Sequence, residues 1–240
     1  MNKLEKIKYE IIEYIYPRRC PICDEAIPRN KLICNKCRIN LVPIRGKRCI
    51  KCSKAFGDLS NELCFDCRKT LHNFEYGFAL YDYESVKSSL YRYKYSGRGE
   101  YSKFYSSAIV EYLGAAIKEM RVDAIIPVPL HKKRQQKRGY NQAELIAREI
   151  GQLLGIGVRT DIVYRRKNTL PQKKLSGIKR QNNLKKAFHI AQYDVKLKRV
   201  VIVDDIYTTG ATINEVAKEL IVCGVQSIFF ITLSIGNELF

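Results

Sequence analysis

Apolar residues follow two different patterns along this chain, and the pattern changes near residue 70. Leucine and isoleucine recur at helical spacing between lysines and glutamates over residues 3–15, which predicts a short amphipathic helix that ends at Pro17. This helix either packs on the rest of the chain or lies on a membrane surface. Residues 17–70 then hold few aliphatic side chains, so burial alone would not stabilise them.

From residue 73 onward, strand and helix patterns alternate. The pattern predicts strands at 74–80, 123–129, 158–164, 199–206 and 225–233, and helices at 84–95, 101–119, 141–154 and 212–223. Such a succession is typical of the α/β class, with a parallel sheet flanked by helices on both faces. In these sheets, ligands bind beyond the carboxyl ends of the strands.

One segment interrupts this succession. Residues 165–186 contain nine lysines and arginines and no acidic residue, together with Pro171 and Gly177. We expect a long mobile loop here, and long loops inside compact domains tend to be functional.

Charge and length narrow the class of protein. The chain has 240 residues, of which 46% are hydrophobic, and a formal net charge of +19. This charge favours polyanionic partners such as nucleic acid, anionic membrane or phosphorylated small molecules, with a solvated basic surface as the alternative. There is no apolar run that could span a bilayer and no signal-peptide pattern, so we expect a cytoplasmic protein, with a peripheral position at the inner membrane face as the alternative.

Eight of the nine cysteines form four Cys-x₂-Cys pairs. The paired residues are Cys20, Cys23, Cys34, Cys37, Cys49, Cys52, Cys64 and Cys67. In a reducing cytosol such pairs indicate metal ligands rather than disulfides, and four thiolates per ion suit two closed, structural Zn²⁺ sites better than iron–sulfur clusters. Sequential pairing is the simplest arrangement, and an interleaved one is the alternative. Cys223 stands alone and is expected to be a small buried side chain.

The strand predicted at 199–206 ends in two adjacent carboxylates, Asp204 and Asp205. Because burial without partners would cost several kcal/mol, roughly 2 to 7 for even a neutral polar group, we expect them to project at the carboxyl end of the strand. The next residues are small or hydroxylated and precede a helix, where backbone N–H groups can surround a phosphate. They are Thr208, Thr209, Gly210, Ala211 and Thr212. Acids for hydroxyl groups beside a phosphate site fit ribose 5-phosphate; the alternative is a plain turn capped by threonines.

A second basic element follows the strand at 123–129. Residues 131–142 form a cationic loop in this interpretation, and Lys132, Arg134 and Arg138 are candidates to neutralise a pyrophosphate. The alternative is the solvated start of a helix.

The segment 199–215 resembles the phosphoribosyl pyrophosphate motif of type I phosphoribosyltransferases. The resemblance implies that Asp204 and Asp205 bind the ribose 2′- and 3′-hydroxyls and that the backbone from Thr208 to Thr212 holds the 5′-phosphate. It also implies Mg²⁺ bound with phosphoribosyl pyrophosphate, and it places the pyrophosphate loop at residues 131–142.

The chain as a whole is similar to the ComF family of competence proteins. The matching motifs, besides the cysteine pairs and the ribose-phosphate motif, are Tyr93-Lys94-Tyr95-Ser96-Gly97, Pro127-Val128-Pro129-Leu130, Arg138-Gly139-Tyr140-Asn141-Gln142, residues 169–176, residues 180–183 and Ala187-Phe188. This resemblance implies a double zinc ribbon before a type I phosphoribosyltransferase-like domain. Together with the helix predicted from the apolar pattern, it divides the chain into an N-terminal helix over 1–16, a double zinc ribbon over 17–70 and a phosphoribosyltransferase-like domain over 71–240.

The basic residues of the ribbons suggest a further partner. They are Arg18, Arg19, Arg29, Lys31, Lys36, Arg38, Arg45, Lys47, Arg48 and Lys51. With Phe56, Phe65 and Phe74 nearby, this surface suits single-stranded nucleic acid, although the same aromatics could form the core of the ribbons. The ComF resemblance implies handling of single-stranded DNA during natural transformation, with components of the DNA-uptake machinery as further partners.

Three functions follow from these features. The first is a ribose-phosphate-binding protein that handles single-stranded DNA. The second is an active phosphoribosyltransferase of nucleotide metabolism or salvage, whose acceptor the sequence does not identify and whose pyrophosphate would leave through an oxocarbenium-like state. The third is a nucleotide-responsive regulator, although no helix-turn-helix pattern supports it.

Overall fold

A computed structural model describes residues 17–57, 60–166, 187–191 and 195–236 of the chain. The helix predicted at 3–15 lies outside the described residues. So does the basic segment predicted at 165–186, apart from Arg165 and Arg166.

The described residues form two short helices among the cysteines, followed by alternating strands and helices. The helices are α1 (Asn35–Asn40), α2 (Phe65–Lys69), α3 (Tyr83–Tyr95), α4 (Tyr101–Glu119), α5 (Lys132–Arg138), α6 (Gln142–Leu154) and α7 (Ala211–Val222). The strands are β1 (Gly77–Asp82), β2 (Ala124–Pro127), β3 (Val163–Arg165), β4 (Phe188–Ile190), β5 (Arg199–Tyr207) and β6 (Ser227–Ile235).

Four strands make one parallel sheet in the order β1-β6-β5-β2. Strand β5 lies inside this sheet, where Val201 is in register with Phe229 of β6 and with Ile125 of β2. An unbroken apolar run suits this position, because an inner parallel strand is buried on both faces. The predicted parallel sheet flanked by helices is therefore confirmed.

Successive residues of β5 point to opposite faces and belong to two separate cores. Val200 and Ile202 pack with α7, whereas Val201 and Val203 pack with α3, α4 and α6. The free thiol of Cys223, which follows α7, is buried as expected.

The two groups of cysteines continue these two cores. The first ribbon (residues 18–41) contributes Cys20 and Cys37 to the core on the α3/α4 face. The second ribbon (residues 47–70) contributes Cys49, Cys52 and Cys64 to the core on the α7 face. The ribbons therefore pack against opposite faces of one sheet.

Two predicted elements differ from the structure. The strand predicted at 158–164 is not a strand of the parallel sheet: Val158 makes a single parallel bridge to Ile125, and Val163–Arg165 pairs antiparallel with Phe188–Ile190 in a separate two-stranded sheet. The loop predicted after β2 is largely the helix α5, which His131 caps by accepting a hydrogen bond at Nδ1 from the Lys133 N–H (3.2 Å).

Candidate functional site

The acid pair lies at the carboxyl end of β5, as the pattern predicts. Asp204 accepts a hydrogen bond from the Asp205 N–H through Oδ1 (2.8 Å). Burial, and next the charge of Asp205, raises the pKa of Asp204 to about 7, although Lys94 and Arg165 act in the opposite direction. A carboxyl group with this pKa changes its charge near neutral pH, which is a frequent property of functional sites.

The residues after the acid pair turn sharply into helix α7. Gly210 caps the helix with φ of 76°, in the left-handed region that favours glycine, and a Cβ there would lie 2.5 Å from Tyr207 Oη. The Ala211 N–H donates to Thr209 Oγ1 (3.4 Å). The first N–H groups of a helix have no partner within it, and the helix dipole favours an anion there. We call residues Thr208–Thr212 the phosphate loop.

Lys94, to which the sequence pattern assigns no role, forms an ion pair with one of the two acids. Lys94 of α3 lies 2.8 Å from Asp205 Oδ2, and both side chains are only about one-sixth exposed. In the sequence, Lys94 belongs to the motif Tyr93-Lys94-Tyr95, which supports the family resemblance but does not by itself indicate what the lysine contacts. The contact brings α3 to the carboxyl end of β5.

Two of the motifs that carry the resemblance meet at this site. Tyr140 Oη and Gln142 Nε2 donate to the carbonyl of Tyr93, and Tyr93 Oη donates to the carbonyl of Gln142 (3.1 Å). Asn141 Nδ2 donates to the carbonyl of Val128 (3.0 Å), just after β2. These bonds join the start of α6 to the end of α3 and to β2, and so fix where Lys94 lies.

Arg165 interacts electrostatically with Asp204, and two further arginines, Arg134 and Arg138, lie near Arg165. Arg138 donates to Gln142 Oε1 (2.8 Å) and lies 5.0 Å from the Tyr95 ring centre. Burial lowers the pKa of Arg165 to about 10, with Arg134 and Arg138 acting in the same direction and Asp204 opposing them. Burial, and next Arg138, also lowers the pKa of Arg134.

The structure therefore brings Arg134 and Arg138 near Arg165, the last residue of β3. Lys132, the third candidate for the pyrophosphate, is exposed at the first position of α5. Repulsion among clustered cations decreases when an anion binds between them. Together, the acid pair, the phosphate loop and this cation cluster can hold hydroxyl groups, one phosphate and a more highly charged anion.

The cysteines form two sets of four. The Sγ atoms of Cys20, Cys23, Cys34 and Cys37 lie within 4.8 Å of one another, and so do those of Cys49, Cys52, Cys64 and Cys67. The first pair thus meets the second, and the third meets the fourth, which is the sequential arrangement. No other such cluster of histidine, cysteine or acidic side chains occurs among the residues that the structure describes.

The donor atoms fit zinc in both sets. Tetrahedral Zn²⁺ about 2.3 Å from each thiolate places the sulfurs about 3.8 Å apart. The Cys23–Cys34 and Cys52–Cys64 sulfurs are 3.8 and 3.6 Å apart, far beyond the roughly 2.05 Å of a disulfide. Burial opposes ionisation of Cys20, but surrounding N–H groups outweigh it and lower its pKa to about 7. Both sets suit structural zinc, with four protein ligands and no open position.

The basic residues of the ribbons divide by exposure. The exposed ones lie mostly in and beside the first ribbon: Arg29, Lys31, Lys36, Arg38, Arg45 and Lys47. Arg19 instead donates to the carbonyl of Asp24 (2.9 Å), and Arg48 donates to Ser53 Oγ (3.3 Å). Of the three aromatics, Phe74 is buried in the core of the α7 face, Phe56 is partly buried against it, and Phe65 is 53% exposed.

Phe74 is therefore a core residue and not a stacking platform, because its ring packs against Phe230 (4.9 Å between ring centres). Phe65 keeps the geometry of a platform, with Lys69 Nζ 4.1 Å from its ring centre. Among the described residues, no helix combines the length and the apolar character that a membrane span requires.

Two family models match the chain. One is the double zinc ribbon domain, which matches residues 11–68, and the other is the phosphoribosyl transferase domain, which matches residues 136–238. The first covers both sets of cysteines, and the second covers the acid pair, the phosphate loop and Arg138.

Several characterised proteins are similar over most of their length. Competence protein F of Haemophilus influenzae is 32% identical over 218 residues, covering 75% of this chain and 93% of that protein. DNA utilization protein YhgH of Escherichia coli K12 is 27% identical over 213 residues, covering 87% and 86%. Competence protein ComFC of Bacillus subtilis is 25% identical over 203 residues, covering 79% and 78%.

The ribbon geometry, the phosphoribosyltransferase-like sheet and the extent of these similarities agree with one another. The chain belongs to the ComF family of competence and DNA utilization proteins, which combines a double zinc ribbon with a phosphoribosyltransferase domain.

Proposed function

We propose that this protein binds phosphoribosyl pyrophosphate or ribose 5-phosphate between β5 and α7 and acts in the handling of single-stranded DNA during natural transformation. The observation that carries the proposal is the junction of β5 and α7, where only Ile206 and Tyr207 separate the acid pair from the phosphate loop. The acids accept hydrogen bonds from the ribose hydroxyls, and the N–H groups of the loop donate to the 5′-phosphate.

The cation cluster supports a pyrophosphate beside the ribose. This cluster consists of two residues of α5, Arg134 and Arg138, and the last residue of β3, Arg165. Bidentate arginines suit phosphate oxygens, and burial of Arg165 strengthens its attraction for an anion. Mg²⁺, when bound with the ligand, would neutralise part of the pyrophosphate charge, and carboxylate and hydroxyl oxygens are suitable ligands for it.

Lys94 provides Asp205 with an ionic partner before the ligand binds. Its ammonium group lies 2.8 Å from Asp205, so the carboxylate has an ionic partner in the structure. A ribose hydroxyl that donates to Asp205 would compete with this contact. Lys94 would then be free to turn toward the phosphates of the ligand, which keeps a positive charge in the site throughout.

Single-stranded DNA is the proposed macromolecular partner. The exposed basic residues at positions 29–47 and the exposed ring of Phe65 provide phosphate contacts and a surface for base stacking. Two relatives are named competence proteins and a third is named a DNA utilization protein. These names support a role with DNA for this chain.

Calorimetric titration tests the ligand. The full-length protein with Mg²⁺ should bind ribose 5-phosphate and phosphoribosyl pyrophosphate, and an Asp204→Asn/Asp205→Asn variant should lose at least tenfold in affinity, about 1.4 kcal/mol, while keeping its zinc. Asp161→Asn, which changes an exposed acid paired with Arg159, is the matched control and should bind like the parent. Equal binding by the double variant would refute the site.

Fluorescence anisotropy with a labelled oligonucleotide tests the DNA. Affinity should fall linearly on logarithmic axes as salt rises, and Arg38→Ala should reduce that slope by roughly 0.7 if Arg38 contacts one phosphate of a single strand. A salt-independent affinity, or no binding at low salt, would contradict the DNA assignment without affecting the ribose-phosphate site.

The second candidate is an active phosphoribosyltransferase, favoured by the cluster of Arg134, Arg138 and the buried Arg165, which could stabilise a leaving pyrophosphate. Incubation of the protein with phosphoribosyl pyrophosphate, Mg²⁺ and separate bases, amines or single-stranded DNA would reveal it as pyrophosphate release. Release with one acceptor, abolished in the Asp204→Asn/Asp205→Asn variant, would establish the enzyme. Ligand binding with no release from any acceptor would leave a binding pocket.

A further inference from the structure

The second set of cysteines lies next to the phosphate loop. We propose that the conformation of the phosphate loop depends on the metal-bound structure of the second ribbon. In this proposal three positioning residues connect the two: His72, Tyr207 and Asn214. The part of this inference that concerns ligand affinity rests on the proposed function, whereas the coupling between ribbon and loop stands on the contacts described below.

A chain of hydrogen bonds connects the two. His72 Nε2 lies 3.5 Å from Cys67 Sγ, and His72 Nδ1 lies 3.0 Å from Asn214 Nδ2. Asn214 Oδ1 accepts from the Asn73 N–H (2.8 Å), and the Asn214 N–H donates to the carbonyl of Gly210 (2.8 Å). Asn214 therefore contacts the segment directly after the second ribbon with its side chain and the phosphate loop with its backbone.

In one tautomer of His72, every hydrogen bond of this series has one donor and one acceptor. If His72 carries its proton on Nε2, it donates to the Cys67 thiolate, and Nδ1 then accepts from the Asn214 amide. The amide oxygen of Asn214 remains for the Asn73 N–H. A histidine that donates to a metal-bound thiolate orients that ligand, and such outer contacts typically change metal affinity or activity by about 10- to 100-fold.

A series of aromatic contacts, two stacked and one edge-on, follows a second path. The His72 ring lies 4.7 Å from Phe74, which lies 4.9 Å from Phe230, and Phe230 lies 4.8 Å from Tyr207 with the rings nearly parallel. Tyr207 is only 3% exposed, and its hydroxyl lies so close to Gly210 that a Cβ there would be 2.5 Å away. The ring therefore packs directly beneath the turn that holds the phosphate.

The second set of cysteines and the residues beneath the loop are packed in the same core, so a change in one displaces the other. The Cys49, Cys52 and Cys64 side chains share one buried core with Phe74, Tyr207 and Phe230. Because interiors are close-packed, loss of order in the ribbon leaves Tyr207 and Asn214 without support on one side. The first set of cysteines belongs to the core on the other face of the sheet, so its metal should not have this effect.

Hydrogen–deuterium exchange measured by mass spectrometry on the full-length protein tests the coupling without any ligand. Asn214→Ala should keep two zinc ions per chain and raise the exchange rate of peptides covering 207–213 about tenfold. Lys218→Ala, an exposed change on the same helix, is the matched control and should leave that rate unchanged. If Asn214→Ala does not fold, Asn214→Leu keeps a side chain of similar shape and removes the bonds to His72 and Asn73, and it carries the same expectation.

Zinc affinity gives the reciprocal measurement. Coupling between two sites is mutual in binding free energy, so ribose 5-phosphate should raise the equilibrium affinity for one zinc per chain several-fold, measured by competition with a chelator, and leave the affinity for the other unchanged. In Asn214→Leu this increase should disappear, and ribose 5-phosphate affinity should fall about tenfold.

Unchanged loop exchange in both Asn214 variants, with ligand affinity equal to that of the parent, would overturn the coupling. Failure of the proposed function has a different signature: the loop would respond to Asn214→Leu, but ribose 5-phosphate would bind neither the parent nor the variant.

Discussion

The two ribbons have the same local structure but different surroundings. In each, a short antiparallel bridge closes the first cysteine pair, Arg19 with Ala26 and Arg48 with Ala55, and a residue with positive φ follows the second cysteine. These residues are Asp24 (φ 64°) and Ser53 (φ 65°). The same folding unit therefore appears twice, and each copy contributes to the buried core on one face of the sheet.

The difference lies in what each ribbon contacts beyond its cysteines. In the first, Asp24 reaches α3 and α4, and it accepts a hydrogen bond from Tyr101 Oη (2.8 Å) and lies 3.6 Å from Arg92. In the second, His72 and a series of aromatic contacts reach the phosphate loop. Both ribbons contribute to a buried core, but the first adds ion pairs at a partly exposed surface, whereas the second adds a connection to the loop. The comparison suggests different roles for two similar metal sites.

The largest expected effect comes from removing one ligand of each site. Cys23→Ser and Cys52→Ser should each lower the zinc content from two ions to one per chain. Cys52 is 1% exposed whereas Cys23 is exposed, so the serine hydroxyl at 52 lacks both metal and water. We expect the free energy of unfolding to fall further for Cys52→Ser, by about 1 to 3 kcal/mol, the cost of an unpaired buried polar group. Urea unfolding and metal analysis measure both quantities.

Equal losses for the two variants, or a greater loss for Cys23→Ser, would show that the difference in burial has no energetic consequence. Far-ultraviolet circular dichroism of both variants provides the control, because a folded sheet must remain before the values are compared.

The fold was predictable from the sequence because its determinants are local. The apolar run of β5 is followed directly by Asp204 and Asp205, so strand, turn and helix are adjacent in the chain. The pattern does not place strand β3 correctly, because its three residues carry too little periodicity. It predicts a loop at helix α5, because all seven residues of this helix are polar and no apolar face indicates a helix.

The contacts around the site were not predictable for a different reason. His72 and Asn214 are 142 residues apart, and either residue alone is an ordinary polar position. Lys94 belongs to a quoted motif, but only the packing of α3 on the sheet places it beside Asp205. Long-range pairs of this kind depend on how elements pack, which the pattern of a single sequence does not determine.

An intermediate effect is expected for Lys94, which lies on the helix that the first ribbon contacts. The pKa of Asp204 is raised to about 7, so between pH 4 and 7 the folded state binds more protons than the unfolded state, and stability should fall as pH rises through this range. Lys94→Met removes a charge that lowers this pKa, so the fall should extend above pH 7. Each unit by which the pKa of Asp204 changes corresponds to about 1.4 kcal/mol in the free energy of unfolding at high pH.

Urea unfolding at a series of pH values measures this dependence. Asp204→Asn should flatten the curve between pH 4 and 7. Lys87→Met, which changes an exposed lysine of the same helix, should leave the curve parallel to that of the parent. A Lys94→Met curve that superimposes on the parent would mean that Lys94 does not influence the charge of Asp204.

The smallest effect tests the charged attachment of the first ribbon. Asp24→Asn keeps an acceptor for Tyr101 and tolerates the positive φ, but it removes the charge that faces Arg92 and Arg98. Because partly exposed ion pairs contribute little, we expect a loss of about 0.5 to 1 kcal/mol, which should shrink in 1 M salt as screening removes the attraction. Asn35→Ala, which ends a contact with Lys31 inside the same ribbon, should cost less at either salt concentration. A loss for Asp24→Asn that is independent of salt would mean that the charge of Asp24 does not contribute to the attachment of the first ribbon.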